Sequence, residues 1–286
     1  MVDTSDISGI LVVNKPGSLT SRDVVNRASK ILKTKKIGHT GTLDPLAEGV
    51  LILTIGKCTK LSDFLTSKYK EYEATFILGY ETDTLDITGK TLSTSDIRAS
   101  ENQIRETILS FKGKYKQEVP IYSAVKKGGK KLYEYAREGK EIELPSREVE
   151  ISDIEILSID DREIKIRTTV SKGTYIRSLI RDIGRKLGTY GTMSKLIRTK
   201  QGDISIEESY TLEEIENGNY KILSPKEILK DIEEYPLDED IYKKVTNGVK
   251  MQIASDAEFI KFTYKDTLIA LYHKDESFYR MYLKFI

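Results

Sequence analysis

Gly38-His39-Thr40-Gly41-Thr42-Leu43-Asp44-Pro45-Leu46-Ala47-Glu48-Gly49 runs directly into Val50-Leu51-Ile52-Leu53-Thr54-Ile55. The apolar, β-branched run reads as a buried strand, and the twelve residues before it read as a loop anchored by that strand. Glycines 38, 41 and 49 relax the backbone where the chain must turn or let another molecule approach closely. Between them, Pro45 biases Asp44 toward an extended conformation and offers no N–H of its own. A short carboxylate on a glycine-bounded loop is how a scaffold presents a catalytic group. The same Asp-Pro pair also suits a helix start, with Asp44 as N-cap and Pro45 at the first helical position. Such a helix would hold about one turn before Gly49, and Ala47 stands where a capping box has Glu or Gln. On local grounds both readings stand.

The 286 residues suffice for one large domain plus a small one. Charged residues make up 32% and apolar ones 38%, the balance of a soluble globular protein. Met1–Asp6 has neither a basic segment nor an apolar core, so no signal peptide is expected. No run approaches the roughly 18 apolar residues of a membrane span, and a cytoplasmic location is the expectation. The single cysteine, Cys58, excludes an intrachain disulfide and a Cys-rich zinc site. With only His39 and His273, multi-histidine metal sites are excluded too, and only these two are available as a triad base. Gly89-Lys90-Thr91 ends like a phosphate-binding loop, but residue 84 is Thr where that motif needs Gly. No metal and no cofactor is expected.

Net charge is +1, but its distribution is uneven. Lys126 to Lys140 holds six basic residues against Glu134 and Glu138, and Ser171 to Lys200 holds eight against Asp182 alone. Asp203 to Asp240 then carries thirteen acidic residues and three lysines. A basic body followed by an acidic segment suggests one polyanion-facing surface and one solvated face; surface charge without a partner is the plainer alternative.

Working outward, Gly9–Val13 reads as a first strand stopped by the turn Asn14-Lys15-Pro16-Gly17. Ser21 is positioned to cap a helix bearing Val24, Val25, Ala28, Ile31 and Leu32 on one face. A short helix is expected near Lys60–Leu65. Tyr69–Gly79 alternates, with Tyr72, Ala74, Phe76 and Leu78 on one side of a strand. Thr82–Gly89 is a polar loop. Ser100 and Gln103 form a capping-box start to a helix stopped by Gly113. Tyr122–Arg147 is Lys- and Gly-rich with interleaved tyrosines, and reads as a basic arm between strands with a short helix at Lys131–Glu138. Ile151–Ile159 and Glu163–Val170 form a strand pair, and a helix runs from about Tyr175 to Leu187. Ser224 caps another, and one begins near Asp238. Val249–Ile286 alternates as three or four short strands. The boundary is expected at Glu233-Glu234-Tyr235-Pro236, giving domains 1–232 and 233–286.

Gly38–Pro45 resembles the active-site signature of the bacterial tRNA pseudouridine-55 synthases, the TruB family. Further blocks match in the family's order. Lys70-Glu71-Tyr72 leads to Leu78-Gly79 and Thr82-Asp83-Thr84. Pro120–Lys126 is followed by Tyr135–Gly139, and Ser171–Leu179 comes last. The match spans roughly Gly9 to Thr199; near Gly191–Thr199 only Leu196 and Arg198 fit the usual pattern. The tail is similar, in pattern and position, to the PUA-like RNA-binding module of such enzymes.

The resemblance implies an α+β catalytic domain around a largely antiparallel sheet, with a small all-β module at one end. It implies isomerisation of one uridine in the T-loop of tRNA, without cofactor, by a stand-alone, monomeric enzyme. By the same resemblance Asp44 is the catalytic carboxylate, acting on the ribose either by adding to it or by removing its C2′ proton. Arg177 pairs with that carboxylate and Tyr72 stacks on the flipped base. Tyr175 and Leu196 line the uracil pocket. His39 contacts the RNA where the base has left, Lys15 is a pocket-wall or phosphate residue, and the arm at 122–147 closes over the T-loop. Two other readings compete: a non-catalytic RNA-binding or RNA-folding protein, and a hydrolase of glycosides using Asp44 with Glu48.

Overall fold

From the amino terminus, the computed structural model describes residues 7–66 and 69–286. In chain order the strands are β1 (Gly9–Lys15), β2 (Ile37–Thr40), β3 (Glu48–Ile55), β4 (Lys70–Leu78), β5 (Tyr80–Thr82), β6 (Thr91–Thr94), β7 (Gly113–Glu118), β8 (Lys126–Lys127), β9 (Lys130–Lys131), β10 (Ser146–Asp160), β11 (Glu163–Val170), β12 (Gly191–Gln201), β13 (Ile204–Ser205), β14 (Glu233–Pro236), β15 (Phe259–Tyr264), β16 (Thr267–Asp275) and β17 (Phe278–Lys284). The α-helices are α1 (Ser21–Ile31), α2 (Ser62–Thr66), α3 (Glu101–Leu109), α4 (Leu132–Arg137), α5 (Ile176–Lys186), α6 (Leu212–Glu216), α7 (Pro225–Ile228) and α8 (Glu239–Thr246). Among the described residues no helix is long and apolar enough to cross a membrane.

The large sheet runs β1-β3-β12-β4-β11-β10-β7, with β2 added to β3 and β13 to β12. Every pairing is antiparallel except β12 with β3, where Ile197 meets Glu48 and Arg198 meets Gly49. That junction is close: a Cβ on Gly49, at φ +96°, would lie 2.3 Å from the Arg198 carbonyl oxygen, so only glycine fits. The mixed α/β architecture with a largely antiparallel sheet is the one expected.

Strict alternation along β1 gives the sheet two buried faces. Leu11 and Val13 join the core beneath α1 and α5, with Val24, Val25, Leu179 and Ile183. Ile10 and Val12 face the other way, into a second cluster with Val50, Ile52, Leu271 and Leu283. The tail sheet β14-β15-β16-β17 therefore packs on the back of the large one, and has a third cluster of its own around Phe262 and Tyr272.

Several local expectations are revised. The cap of α1 is Thr20, whose side chain and Asp23 form the capping box; Ser21 is the first helical residue. No helix starts at Asp44: Ala47 N donates to the Asp44 carbonyl at 3.0 Å, closing a turn that leads straight into β3. His39 lies on β2, paired with Leu53, rather than on a loop. Glu233–Pro236, where the boundary was expected, forms strand β14, the parallel partner of β15. The strand β10 starts at Ser146 because its first half pairs with β7. The capping boxes at Ser100 and Ser224 are both present, and Asp238 caps α8.

Candidate active site

The start of β4 and the ends of β11 and β12, the middle strands of the large sheet, meet the 41–47 turn. Tyr72 lies across from Arg198 on β12 and Thr168 on β11. Alternation along β4 puts Lys70 and Tyr72 on the same inward face as Ala74, Phe76 and Leu78. The apolar end of that face is core and the polar end opens into a cleft.

The turn carrying Asp44 is held from several sides. Ser21 Oγ accepts from Leu43 N at 2.9 Å and donates to the Leu43 carbonyl at 3.2 Å. Arg198 Nη2 donates to the Gly41 carbonyl at 2.9 Å. From beneath, Lys15 Nζ donates to the carbonyls of Pro16 (2.8 Å), Leu19 (2.6 Å) and Pro45 (3.3 Å). Lys15 is fully buried, and burial pushes its ammonium from 10.5 down to about 8, against the opposing pull of Glu48 and Asp44. Its side chain supports the turn; enclosed by carbonyls, it is not placed to receive a phosphate.

Arg177, on the first turn of α5 and 5% exposed, brings its Nε to 2.9 Å from Asp44 Oδ2. The Nε–H is not aligned on that oxygen and has no other acceptor among the described residues, so the contact is an ion pair rather than a directed hydrogen bond. The other guanidinium nitrogens fix the arginine itself: Nη1 donates to the Thr84 carbonyl at 2.7 Å and Nη2 to the Tyr122 carbonyl at 3.0 Å. Behind it, Asp86 Oδ2 lies 4.0 Å from Nη1, in a loop where Asp86 Oδ1 accepts from the Thr84 hydroxyl at 2.8 Å and Thr88 N at 3.0 Å. One buried cation thus faces two carboxylates, of which only Asp44 opens to solvent, its side chain 36% exposed against 7% for Asp86.

Asp44, Tyr72 and Tyr175 line both a cleft of about 300 Å³ and a smaller recess of about 90 Å³, where Arg177 and Leu196 join them. Leu196 serves core and recess alike. Tyr175 is the N-cap of α5 and is set by Gln117, a fully buried residue of β7. Gln117 Oε1 accepts from Tyr175 N at 2.8 Å and Nε2 donates to the Tyr175 carbonyl at 3.1 Å. His39 stands apart from both cavities; burial holds its imidazole below the usual 6.5, with Arg22 and Arg198 adding to the effect, and its Nδ1 is buried without a partner among the described residues. Another cavity, about 120 Å³, lies at the seam with the tail and is lined by Ile10, Ile52 and Leu223 among others; none of the groups above reaches it.

Asp44, Tyr72, Tyr175, Arg177 and Leu196 are therefore brought together, while Lys15 and His39 flank the turn. Sequence reasoning passed over Asp86 and Gln117, and took Lys70 and Arg198 only as pattern matches. Lys70 had a signal: it shares the inward parity of Tyr72 on an alternating strand. Gln117 had none, because a buried glutamine in a lysine-rich segment looks like an exposed one.

The family described as "TruB family pseudouridylate synthase (N terminal domain)" matches residues 29–176, and "tRNA pseudouridylate synthase B C-terminal domain" matches 177–234. The protein named tRNA pseudouridine synthase B of Clostridium acetobutylicum is 44% identical, over 95% of this chain and 94% of its own. That of Bacillus subtilis is 38% identical, over 93% of each. Among solved structures, the "Crystal Structure of a Cbf5-Nop10-Gar1 Complex" superposes with a TM-score of 0.70 at 25% identity, over 96% of this chain and 85% of that one. The "Structure of H/ACA RNP bound to a substrate RNA containing 2'-deoxyuridine" gives 0.72 at 22%, over 100% and 87%. Fold and matches place the chain among the pseudouridylate synthases. Within them it belongs to the TruB family, matched along nearly its whole length.

Proposed function

We propose that the protein isomerises uridine to pseudouridine in transfer RNA, at position 55 of the T-loop, with Asp44 as the reacting carboxylate. The observation that carries this reading is the ion pair of Asp44 with a buried arginine at the mouth of a recess lined by Tyr72, Tyr175 and Leu196. The reaction breaks the N1–C1′ bond, turns the base and rejoins it through C5; C5 loses a proton and N1 gains one. A carboxylate at the ribose serves either route, by adding to C1′ as retaining glycosidases do or by removing the C2′ proton to give a glycal. No electrons are exchanged with a second reagent, so the chain's own side chains suffice.

A uridine within a folded loop must leave the stack at a cost of a few kcal/mol. Stacking on Tyr72 returns roughly 1–3 kcal/mol. Tyr175 and Leu196 bound the uracil, and Arg177 balances the carboxylate's charge. His39, on the strand just before the turn, meets the RNA where the base has left. The arm at 122–147 closes over the T-loop, its root tied to the site through the Tyr122 carbonyl. The enzyme acts alone on tRNA, as a monomer.

The test is purified protein on T-loop hairpins whose target uridine is in place or moved by one position. The expected result is pseudouridine only at the native position, with Asp44→Asn retaining RNA affinity and forming none. Turnover by Asp44→Asn near that of the unaltered protein would overturn the assignment.

A further inference from the structure

Two cross-strand neighbours at the β7 end of the large sheet reach Tyr175. Arg147, near the start of β10, pairs with Gln117 on β7, and directly opposed residues of an antiparallel ladder show their side chains on one face. Gln117 holds the backbone of Tyr175. Arg147 meets its ring, with the guanidinium carbon 5.7 Å from the ring centroid, within cation–π range. The fit is close: a Cβ on Gly173, at φ +89°, would lie 2.9 Å from Arg147 Nη1. Gly173 thus leaves room for the guanidinium beside a loop that lines the cleft, although Arg147 itself lines neither cavity. Half-buried, Arg147 has no hydrogen-bond acceptor and no acid within ion-pair distance among the described residues. The acids around it in the sheet are engaged elsewhere. Glu118 pairs with Arg181 at 3.0 Å and Glu148 with Lys114 at 3.7 Å, and Glu150 accepts from the Tyr69 hydroxyl at 2.7 Å. The charge on the neighbouring loop, Lys172, is a second cation.

We propose that Arg147 is a positioning residue for the isomerisation: its edge takes a backbone phosphate of the bound RNA while its face holds the Tyr175 ring against the uracil. All five guanidinium N–H donors are unused in this structure, and the anion an RNA substrate brings to the cleft is phosphate. A planar guanidinium meets a ring with its face and a phosphate with its edge at once, which an ammonium does not. Without RNA, a cation resting on a ring at a half-exposed position is too weak a contact to lock that ring. A bound phosphate removes the arginine's remaining freedom, and the ring is then fixed from both sides, by the arginine and by the base. Arg147 also ends the 122–147 arm, whose other root is held by Arg177 through the Tyr122 carbonyl. Both roots of the arm therefore act on the first residues of α5, and capture of the RNA strand is felt at the residues that bound the uracil and balance Asp44. The inference rests on RNA being the substrate.

The test uses T-loop hairpins bearing one uncharged methylphosphonate linkage at each loop phosphate in turn, with the full-length protein, Arg147→Met and Arg147→Lys. Affinity and the single-turnover rate at saturating RNA are read separately. The expected result is one linkage that weakens binding to the unaltered protein about tenfold. That penalty should vanish in Arg147→Met, whose slope of log affinity against log salt should fall by about 0.7, one single-strand phosphate contact. Arg147→Lys should keep most of the affinity and the slope, since the charge survives. Both variants should lose about tenfold in rate at saturating RNA, since neither keeps the planar contact. In a Tyr175→Leu background Arg147→Met should cost no further rate, the mark of an effect carried by the ring. Full rate in Arg147→Met at saturating RNA, or an equal loss in both backgrounds, would overturn the positioning role. The same linkage penalty in all three proteins would overturn the phosphate contact. Hairpin binding by the unaltered protein without pseudouridine formation would instead sink the proposed function, and the linkage penalties, read from binding alone, would still decide whether Arg147 holds a phosphate.

Discussion

At Arg177 one guanidinium touches three separate segments: the 41–47 turn through Asp44, the 82–89 loop through Thr84, and the root of the arm through Tyr122. A lysine keeps the charge but not the planar fork. Arg177→Lys should leave the fold intact and lower single-turnover isomerisation by about 10²-fold, the size of effect from displacing a reacting group by about 1 Å. Tight RNA binding with near-normal rates would count against it. The buried lysines make a second expectation. Lys15 and Lys70 are each pushed from 10.5 to about 8 by burial. Between those limits the unfolded chain keeps protons that the folded one has released, so stability rises with pH. Burial raises the Cys58 thiol from 9.0 to about 12; above pH 9 the unfolded thiol loses its proton first, and stability falls. Urea midpoints should therefore rise from pH 8 to 9, by on the order of 1 kcal/mol, and more slowly above pH 9, where the one thiol opposes the two lysines. Cys58→Ala should extend the rise. A flat profile through pH 8–9 would show that neither lysine loses its proton there. At this scale Asp44 stood out because Gly and Pro punctuate its surroundings, although that punctuation alone left a helix cap equally open. Asp86 and Gln117 were not, since partners tens of residues away define their roles.

Among the elements, the legible ones are those whose pattern keeps its period. β4 alternates without a break, and the capping boxes of α3 and α7 announce their helices. β12 is central to the sheet yet was not anticipated, because bulges at Met193/Lys195 and Arg198/Lys200 shift its register twice. Its buried positions therefore fall at irregular intervals instead of every second residue. β7 was missed for a different reason: Gly113-Lys114-Tyr115-Lys116-Gln117-Glu118 shows solvent its lysines and hides one glutamine. That glutamine joins two elements, because it clasps both backbone groups of Tyr175 where α5 begins. Gln117→Leu keeps similar bulk but leaves the Tyr175 N–H unpaired, while its C=O keeps only the Leu179 N–H, at about 1–3 kcal/mol. Thermal unfolding should move down accordingly, and pseudouridine formation should fall about tenfold as Tyr175 shifts. Unchanged kinetics in a destabilised variant would confine Gln117 to a structural role.

For the whole molecule, neither period nor composition could bring positions 44, 72, 177 and 196 together. The strand order β3-β12-β4-β11 does so, and only the family resemblance carried that information in advance. The tail was visible as a second module, and the strand Glu233–Pro236 opens its sheet. Less visible was how far the tail's packing is shared with the body. Leu268, Leu271 and Leu283 lie in one cluster with Ile10, Val12, Val50 and Ile52, so β1 and β3 are buried on one face by the catalytic body and on the other by the tail. If that seam couples the two, Leu271→Ala should cost about 2–5 kcal/mol, although the residue lies outside the catalytic body. Unfolding should then remain one transition, with fluorescence from tyrosines of body and tail moving together. Two separated transitions, with only the later one insensitive to Leu271→Ala, would show instead that the tail melts alone. In that case the strands carrying the Asp44 turn would be stable without the cover over their second face.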